Sequence, residues 1–235
     1  MKRYGYPDME RYLECEKKTF KHLESSHLFR SNFPDCIQEI DRVFSVVSSF
    51  IRDAPKKKRK KCGKLIINPT IAFVAELEGK KHNVKLCSNV EFEEYRLVSS
   101  VQIIEIFGSV GSINENKIIS RIHFDVAIPG ETNKQHHPLY HVQVGGEAKG
   151  DVEIVGDHGL SLPRIPYRPM TSAMFFDMAI RELDTDEHKQ FIKEGSWIEI
   201  VRENEELMYY SFVEEISRRK SSNHNFVLSD LYYEA

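Results

Sequence analysis

Between residues 121 and 170 the chain reads RIHFDVAIPGETNKQHHPLYHVQVGGEAKGDVEIVGDHGLSLPRIPYRPM, a stretch that holds five of its ten histidines. Neutral imidazoles and carboxylates are the donors of metal sites and the carriers of proton transfer, and gathering them in one segment costs solvation unless they bind something. In an extended strand residues two apart face the same way, so His123 and Asp125 share one face while Phe124 and Val126 share the other. His141 and Gln143 stand in the same relation farther along. If the two segments pair as a hairpin across the 129–138 loop, His123, Asp125 and His141 converge, and His136 and His137 on the loop could close the group. That convergence depends on register, which the letters do not supply. A set of this kind would hold a divalent first-row metal with an open water position, the ion lowering the pKa of that water to make a nucleophile. The plain alternative is that His123 pairs with Asp125 or a backbone carbonyl, with His136 and His137 on a solvated loop.

Three further patterns bear on chemistry. Asp125 followed by Glu147-x-Lys149 matches the loose D…E-x-K spacing of restriction-endonuclease-like nucleases, although Gly145-Gly146 precedes the glutamate where that family would continue a strand. Pro163, Pro166 and Pro169 fix an extended segment that presents Arg164 and Arg168 on a stiff support. Their planar forks suit phosphate or carboxylate, and Arg164 is the candidate for stabilising charge on a phosphoryl group. Equally, Arg164 could salt-bridge an acid of the same domain while the prolines end a strand and launch a helix at Thr171. Lys56, Lys57, Lys58, Arg59, Lys60 and Lys61 form an unbroken cationic run after Pro55. Its letters resemble a monopartite nuclear localisation signal; a solvated loop or a phosphate-backbone contact are the other readings.

His123, Phe124, Asp125, His137, Pro138, His141, Arg164, Ile165 and Pro166 trace an HFD, HP..H, RIP pattern ahead of a helix rich in Phe and Ile. The pattern resembles an uncharacterised prokaryotic domain-of-unknown-function family of similar length, over about the second half of the chain. Tyr140 stands where that family has a small residue, and the 145–159 insertion is longer. The resemblance carries no established activity; what it implies is a setting near mobile-element and phage-defence genes, and with the basic run it points to nucleic acid.

The elements that must position these residues run helix, strand, helix, which predicts an α+β fold: a central antiparallel sheet flanked by N-terminal and C-terminal helices. One domain over 1–235 is expected, with a helical part at 1–54, a sheet core at 64–166 and a helical part at 170–235. Met9, Tyr12, Leu13, Phe20 and Leu23 predict an amphipathic helix over 7–29. Ile37, Ile40, Val43, Phe44, Val47 and Phe50 predict a second, punctuated by Pro34-Asp35 before it and Pro55 after it. β-branched and aromatic runs predict strands at 70–77, 84–86, 101–107, 118–128 and 140–144, with turns at 79–81 and 108–116. Phe92, Tyr95, Leu97 and Val98 fit neither period, so 91–100 reads as a loop entering a strand. Thr171-Ser172 is a plausible N-cap for a helix carrying Met174, Phe175, Met178, Ile180 and Leu183. Another helix starts near Asp186 or Ser196 and the last ends around 218–220, where cations suit a helix C-terminus. Phe226, Leu228, Leu231, Tyr232 and Tyr233 in the tail are expected to pack back onto the domain.

Composition bounds the function classes. The chain has 235 residues, a net charge of −3, 40% apolar and 29% charged residues, which is ordinary for a globular protein and gives no global pull toward nucleic acid or membrane. Cys15, Cys36, Cys62 and Cys87 show no C-x-x-C pairing, so they read as reduced thiols. No leader and no apolar run near the roughly 20 residues of a membrane span is apparent, which predicts a soluble, cytoplasmic protein. Two functions follow as expectations. The first is a metal-dependent hydrolase, a nuclease or phosphodiesterase, with His123, Asp125 and His141 as catalytic groups, His123, Asp125, His137 and His141 as ligands, and the basic run with Arg168 holding nucleic acid. The second is a non-catalytic nucleic-acid-binding or scaffold subunit of an intracellular complex.

Overall fold

The computed structural model describes residues 9–53, 65–93, 96–126, 140–145, 165–166, 170–183 and 186–222. Helix α1 (Met9–Ser26), strand β1 (Arg30–Ser31) and helix α2 (Phe33–Asp53) come first. Strands β2 (Leu65–Ile67), β3 (Thr70–Leu77), β4 (Lys80–Glu93), β5 (Arg96–Ser109), β6 (Ile118–Val126), β7 (Tyr140–Val144) and β8 (Ile165–Pro166) follow. Helices α3 (Ser172–Glu182), α4 (Asp186–Phe191) and α5 (Gly195–Ser222) end the described chain. All strand pairs are antiparallel and build one eight-stranded sheet in the order β1-β3-β4-β5-β6-β7-β8, with β2 paired to β4 beyond the end of β3. The fold is α+β, with helices before and after the sheet in sequence.

Side-chain alternation sorts the sheet into two faces. Ile71, Phe73 and Ala75 of β3 lie opposite Leu86, Val84 and His82 of β4, and this face continues through Ile104 and Gln102 of β5 to Ile122 and Phe124 of β6. The helices pack here. Phe29 meets Phe73 edge-on at 5.9 Å, Phe73 meets His188 of α4 at 4.8 Å, and Phe124 meets Phe175 of α3 at 5.9 Å. Tyr12, Phe20, Phe33, Phe175, Phe176, Phe191 and Trp197 are fully enclosed between sheet and helices. Burying each such side chain contributes on the order of 1.5–3 kcal/mol, so this layer dominates the stability.

Several polar groups inside the layer make long-range contacts. Glu16 of α1 accepts from the backbone N–H of Ser172 at 2.9 Å, and the Ser172 hydroxyl lies 3.2 Å from that of Ser88 on β4. Gln102 donates to the carbonyl of Met170 at 2.9 Å, and Thr171 caps α3 by accepting from the N–H of Met174. The start of α3 is thereby tied to α1, β4 and β5 at once, which fixes where the chain re-enters after β8.

Several local expectations change. The 91–100 stretch is strand where it is described: Glu91 pairs with Ser99, Phe92 with Leu97 and Glu93 with Arg96. A register shift between Glu91 and Phe92 breaks the alternation there, which hides a strand from a period-2 reading. The strand expected at 84–86 is the middle of the 14-residue β4, masked in the sequence because buried His82 and Ser88 stand at inward positions. The turn expected at 79–81 is the pair Glu78-Gly79, with φ of 51° and 72°, as a two-residue hairpin between Leu77 and Lys80 requires. Helix α1 stops at Ser26 rather than 29, where His27 takes φ 56° and frees Arg30 and Ser31 to pair with β3. Both starts considered for the C-terminal helices are used, by α4 and α5, and α5 runs to Ser222. The tail cluster at 226–233 lies outside the described residues.

Candidate functional site

The second face of the sheet carries the histidine–aspartate set. Phe124 points into the helical layer, so its neighbours Arg121, His123 and Asp125 take the opposite face by alternation. Strand β7 then pairs Asp125 directly with His141 and His123 directly with Gln143. The four positions occupy two adjacent rungs of one ladder on one face. Directly opposite residues have Cβ atoms about 4.5–5.5 Å apart and diagonal ones about 7–8 Å, so these positions form a compact four-cornered patch.

Its surroundings in the sheet are defined by the same register. On β5, Val101 stands opposite Asp125 and Ile103 opposite His123. On β8, Pro166 stands opposite His141. The patch is therefore bordered by two aliphatic side-chain positions on one side and a proline on the other. His123, Asp125, Val101, Ile103 and Gln143 are all half-buried, unlike Val74 and Ile66, which are 45% and 41% exposed.

One rung farther along, Lys85, Glu105 and Arg121 are register partners across three strands. Arg121 Nε lies 3.3 Å from Glu105 Oε1, with side-chain exposures of only 11% and 13%. At that depth the pair is screened less than a surface ion pair, and it fixes the local alignment of β5 and β6. Sequence reasoning missed this arginine, although the alternate spacing Arg121-x-His123-x-Asp125 is a signal that finds it; its glutamate partner needed the β5 register.

Cys87 lies on the same row as His123, with Ile103 between them. Burial pushes its thiol above the ordinary cysteine range, and Thr70 Oγ1 lies 3.8 Å from its sulfur. A thiol held protonated two strands away, about 9–10 Å from His123, does not form a Cys–His nucleophile pair.

The remaining sequence candidates are distributed as follows. His136, His137, Glu147, Lys149, Arg164, Arg168 and the basic run from Lys56 to Lys61 lie outside the described residues. So does Cys62, whereas Cys15, Cys36 and Cys87 are free thiols. The segment carrying the prolines contributes Ile165 and Pro166 as a short edge strand beside β7, a position that tolerates proline because no inward N–H is needed. Among the described residues no group of three or more His, Cys, Asp or Glu side chains is disposed to hold a metal, and of the triad only His123 and Asp125 have described side chains. None of the described helices is long and apolar enough to cross a membrane.

Alternate spacing put Gln143 on the face of His141 but gave it no role, and sequence reasoning missed Val101 and Ile103 as the border of the patch. No local signal marks those two, because both are brought in by a partner strand. Scans against protein-family models, curated proteins and solved structures found no match to the chain.

Proposed function

We propose that the protein is a metal-dependent hydrolase of phosphodiesters, with nucleic acid as the substrate class. One observation carries this reading: Asp125 and His141 are direct cross-strand partners and His123 is two residues from Asp125 on the same face. Two imidazoles and a carboxylate that leave coordination positions open are the donor set of catalytic metal centres, and a bound ion would supply a water ionised near neutral pH. His123, Asp125 and His141 would hold that ion or move the proton of the attacking water, and His137 is a further candidate ligand. Arg164 would neutralise charge on the phosphoryl oxygens. Lys56, Lys57, Lys58, Arg59, Lys60, Lys61 and Arg168 would hold the phosphate backbone, giving binding that weakens with salt. The resemblance to a prokaryotic family suggests a role in defence against foreign nucleic acid.

The test is elemental analysis of the purified protein, then incubation with single- and double-stranded DNA and RNA plus magnesium, manganese or zinc. Cleavage that is lost in His141→Ala while circular dichroism stays unchanged is the expected result. Absence of cleavage with every ion and polymer sinks the proposal.

The half-buried Glu105–Arg121 pair favours a second reading, a non-catalytic scaffold or nucleic-acid-binding subunit whose polar face organises the sheet. In that case His123→Ala lowers the melting temperature, there is no activity to lose, and no metal copurifies.

A further inference from the structure

We infer that the outer face of α5 is an interface with a second copy of the chain, the two helices pairing antiparallel through Glu203, Glu206, Tyr210, Val213, Ser217 and Lys220. This goes beyond the hydrolase reading and does not rest on it. Helix α5 has 28 residues, about 42 Å of helix. Its first half is anchored: Trp197, Ile200, Leu207 and Met208 are buried, and the Trp197 ring stacks on His22 of α1 and donates its N–H to Asp177 of α3. Among the described residues beyond Met208 none is buried, and Tyr210 and Val213 are 67% and 54% exposed. Helical stability comes mainly from packing one apolar face, so two large apolar side chains one turn apart on this exposed stretch mark a surface that a partner covers.

Spacing and charge identify the partner. The six residues recur at alternating intervals of three and four, as the a and d positions of a heptad do, and all six are exposed. Acids stand at the N-terminal end of this seam, the apolar pair in its middle and a lysine at its C-terminal end. A parallel copy would set Glu203 on Glu203 and Lys220 on Lys220. An antiparallel copy, related by a two-fold axis between Tyr210 and Val213, sets Tyr210 against the partner's Val213, Glu206 against the partner's Ser217 and Glu203 against the partner's Lys220. Each contact is made twice, giving an apolar centre, hydrogen-bonding layers beside it and ion pairs at both ends. Glu203 already meets Lys18 at 2.7 Å. Around the partner's Lys220 the first half of α5 nonetheless offers Glu199, Glu203 and Glu206 against Arg202 and Lys18, an acidic excess. The opposed helix dipoles favour the same orientation. Four apolar side chains at the centre make a weak, concentration-dependent pair rather than a permanent dimer.

The experiment is sedimentation equilibrium of the full chain from about 1 to about 300 μM, a range in which a reversible monomer–dimer equilibrium is expected. Val213→Glu puts a charge in the apolar centre and should weaken association at least about tenfold, with circular dichroism unchanged because position 213 is exposed. Should that variant fail to fold, Tyr210→Ala takes its place. Ser217→Lys sets a cation against the partner's Glu206 and should tighten association about three- to tenfold, a gain that misfolding cannot mimic. Ser217→Glu should weaken it by a similar factor. A chain that stays monomeric over the whole range overturns the inference. So does a dimer that Val213→Glu or Tyr210→Ala leaves intact, because its interface lies elsewhere. Association unchanged or weakened in Ser217→Lys overturns the antiparallel pairing, since only that orientation brings residue 217 to an acid.

Discussion

Glu16 and Ser172 are 156 residues apart in sequence, yet the buried carboxylate of the first accepts the backbone N–H of the second at 2.9 Å, at the first residue of α3. The positive end of a helix is where an acid is best tolerated, and this contact joins the first helix to the return of the chain after the sheet. Burial raises the Glu16 carboxyl above its ordinary value, opposed by hydrogen bonding to Ser172 and Tyr12. A carboxyl raised in the folded state binds its proton more tightly there than in the unfolded chain. Its contribution to stability is therefore largest below the unfolded pKa, near 4.5, and declines as pH rises through the folded value. Glu16→Gln keeps an acceptor for Ser172 but cannot ionise. Its stability relative to the natural protein should grow from pH 4.5 to neutrality in urea titrations. A difference that does not change with pH removes this account of Glu16.

The two faces of β6 should respond differently to truncation. Phe124 packs on the fully buried Phe175 at 5.9 Å, whereas His123 faces away from the helices. Phe124→Ala is expected to cost about 2–4 kcal/mol in a denaturant midpoint, near the lower range for a buried phenylalanine because Phe124 is only half-enclosed. His123→Ala should cost less than about 1 kcal/mol on the hydrolase reading. Equal losses would favour the scaffold reading.

Asp177 separates a buried hydrogen bond from an exposed ion pair. Its Oδ1 accepts from the indole N–H of the fully buried Trp197 at 2.9 Å, and its carboxylate also meets Arg181, whose side chain is 49% exposed. Asp177→Ala leaves the indole N–H without its acceptor and should lower stability by about 1–3 kcal/mol. Arg181→Ala should cost no more than about 0.5 kcal/mol, because the arginine is solvated and screened. Asp177→Asn should fall between them. Thermal unfolding of the three variants checks the order, and a larger loss from Arg181→Ala than from Asp177→Ala would reverse the assignment.

Gly108 closes the β5–β6 hairpin where its N–H donates to the carbonyl of Lys117 at 2.9 Å. A Cβ placed there would lie 2.0 Å from the carbonyl oxygen of Asn114, a backbone atom that cannot rotate away. Gly108→Ala should therefore shift the hairpin and destabilise the protein by about 1–3 kcal/mol. Because β6 carries His123 and Asp125, its amide protection in hydrogen exchange should fall as well; protection equal to that of the natural protein would show that the hairpin absorbs the side chain.

Local patterns in the sequence were enough to place most helices and strands, to put His123 with Asp125 and Phe124 on the other face, and to identify Thr171 as the cap of α3. Such features depend on residues within a turn of helix or a few positions of strand, so the period of apolar residues reports them directly. Where a bulge breaks the phase, as between Glu91 and Phe92, or polar His82 and Ser88 stand inside, the same pattern falls silent and the strand is lost. Only the tertiary structure decided that Asp125 faces His141 and that Gln143, Val101 and Ile103 complete and border the patch. A slip of one residue in β7 would have sent His141 to the helical side, and the letters of either strand are compatible with both pairings. The facing of β6 is set by the packing of Ile122, Phe124 and Phe175 between sheet and helices, beside the Glu16–Ser172 and Gln102–Met170 contacts, and Val142 opposite Phe124 puts His141 on the other face. These contacts join residues far apart in the chain, and they arise only once the whole layer closes.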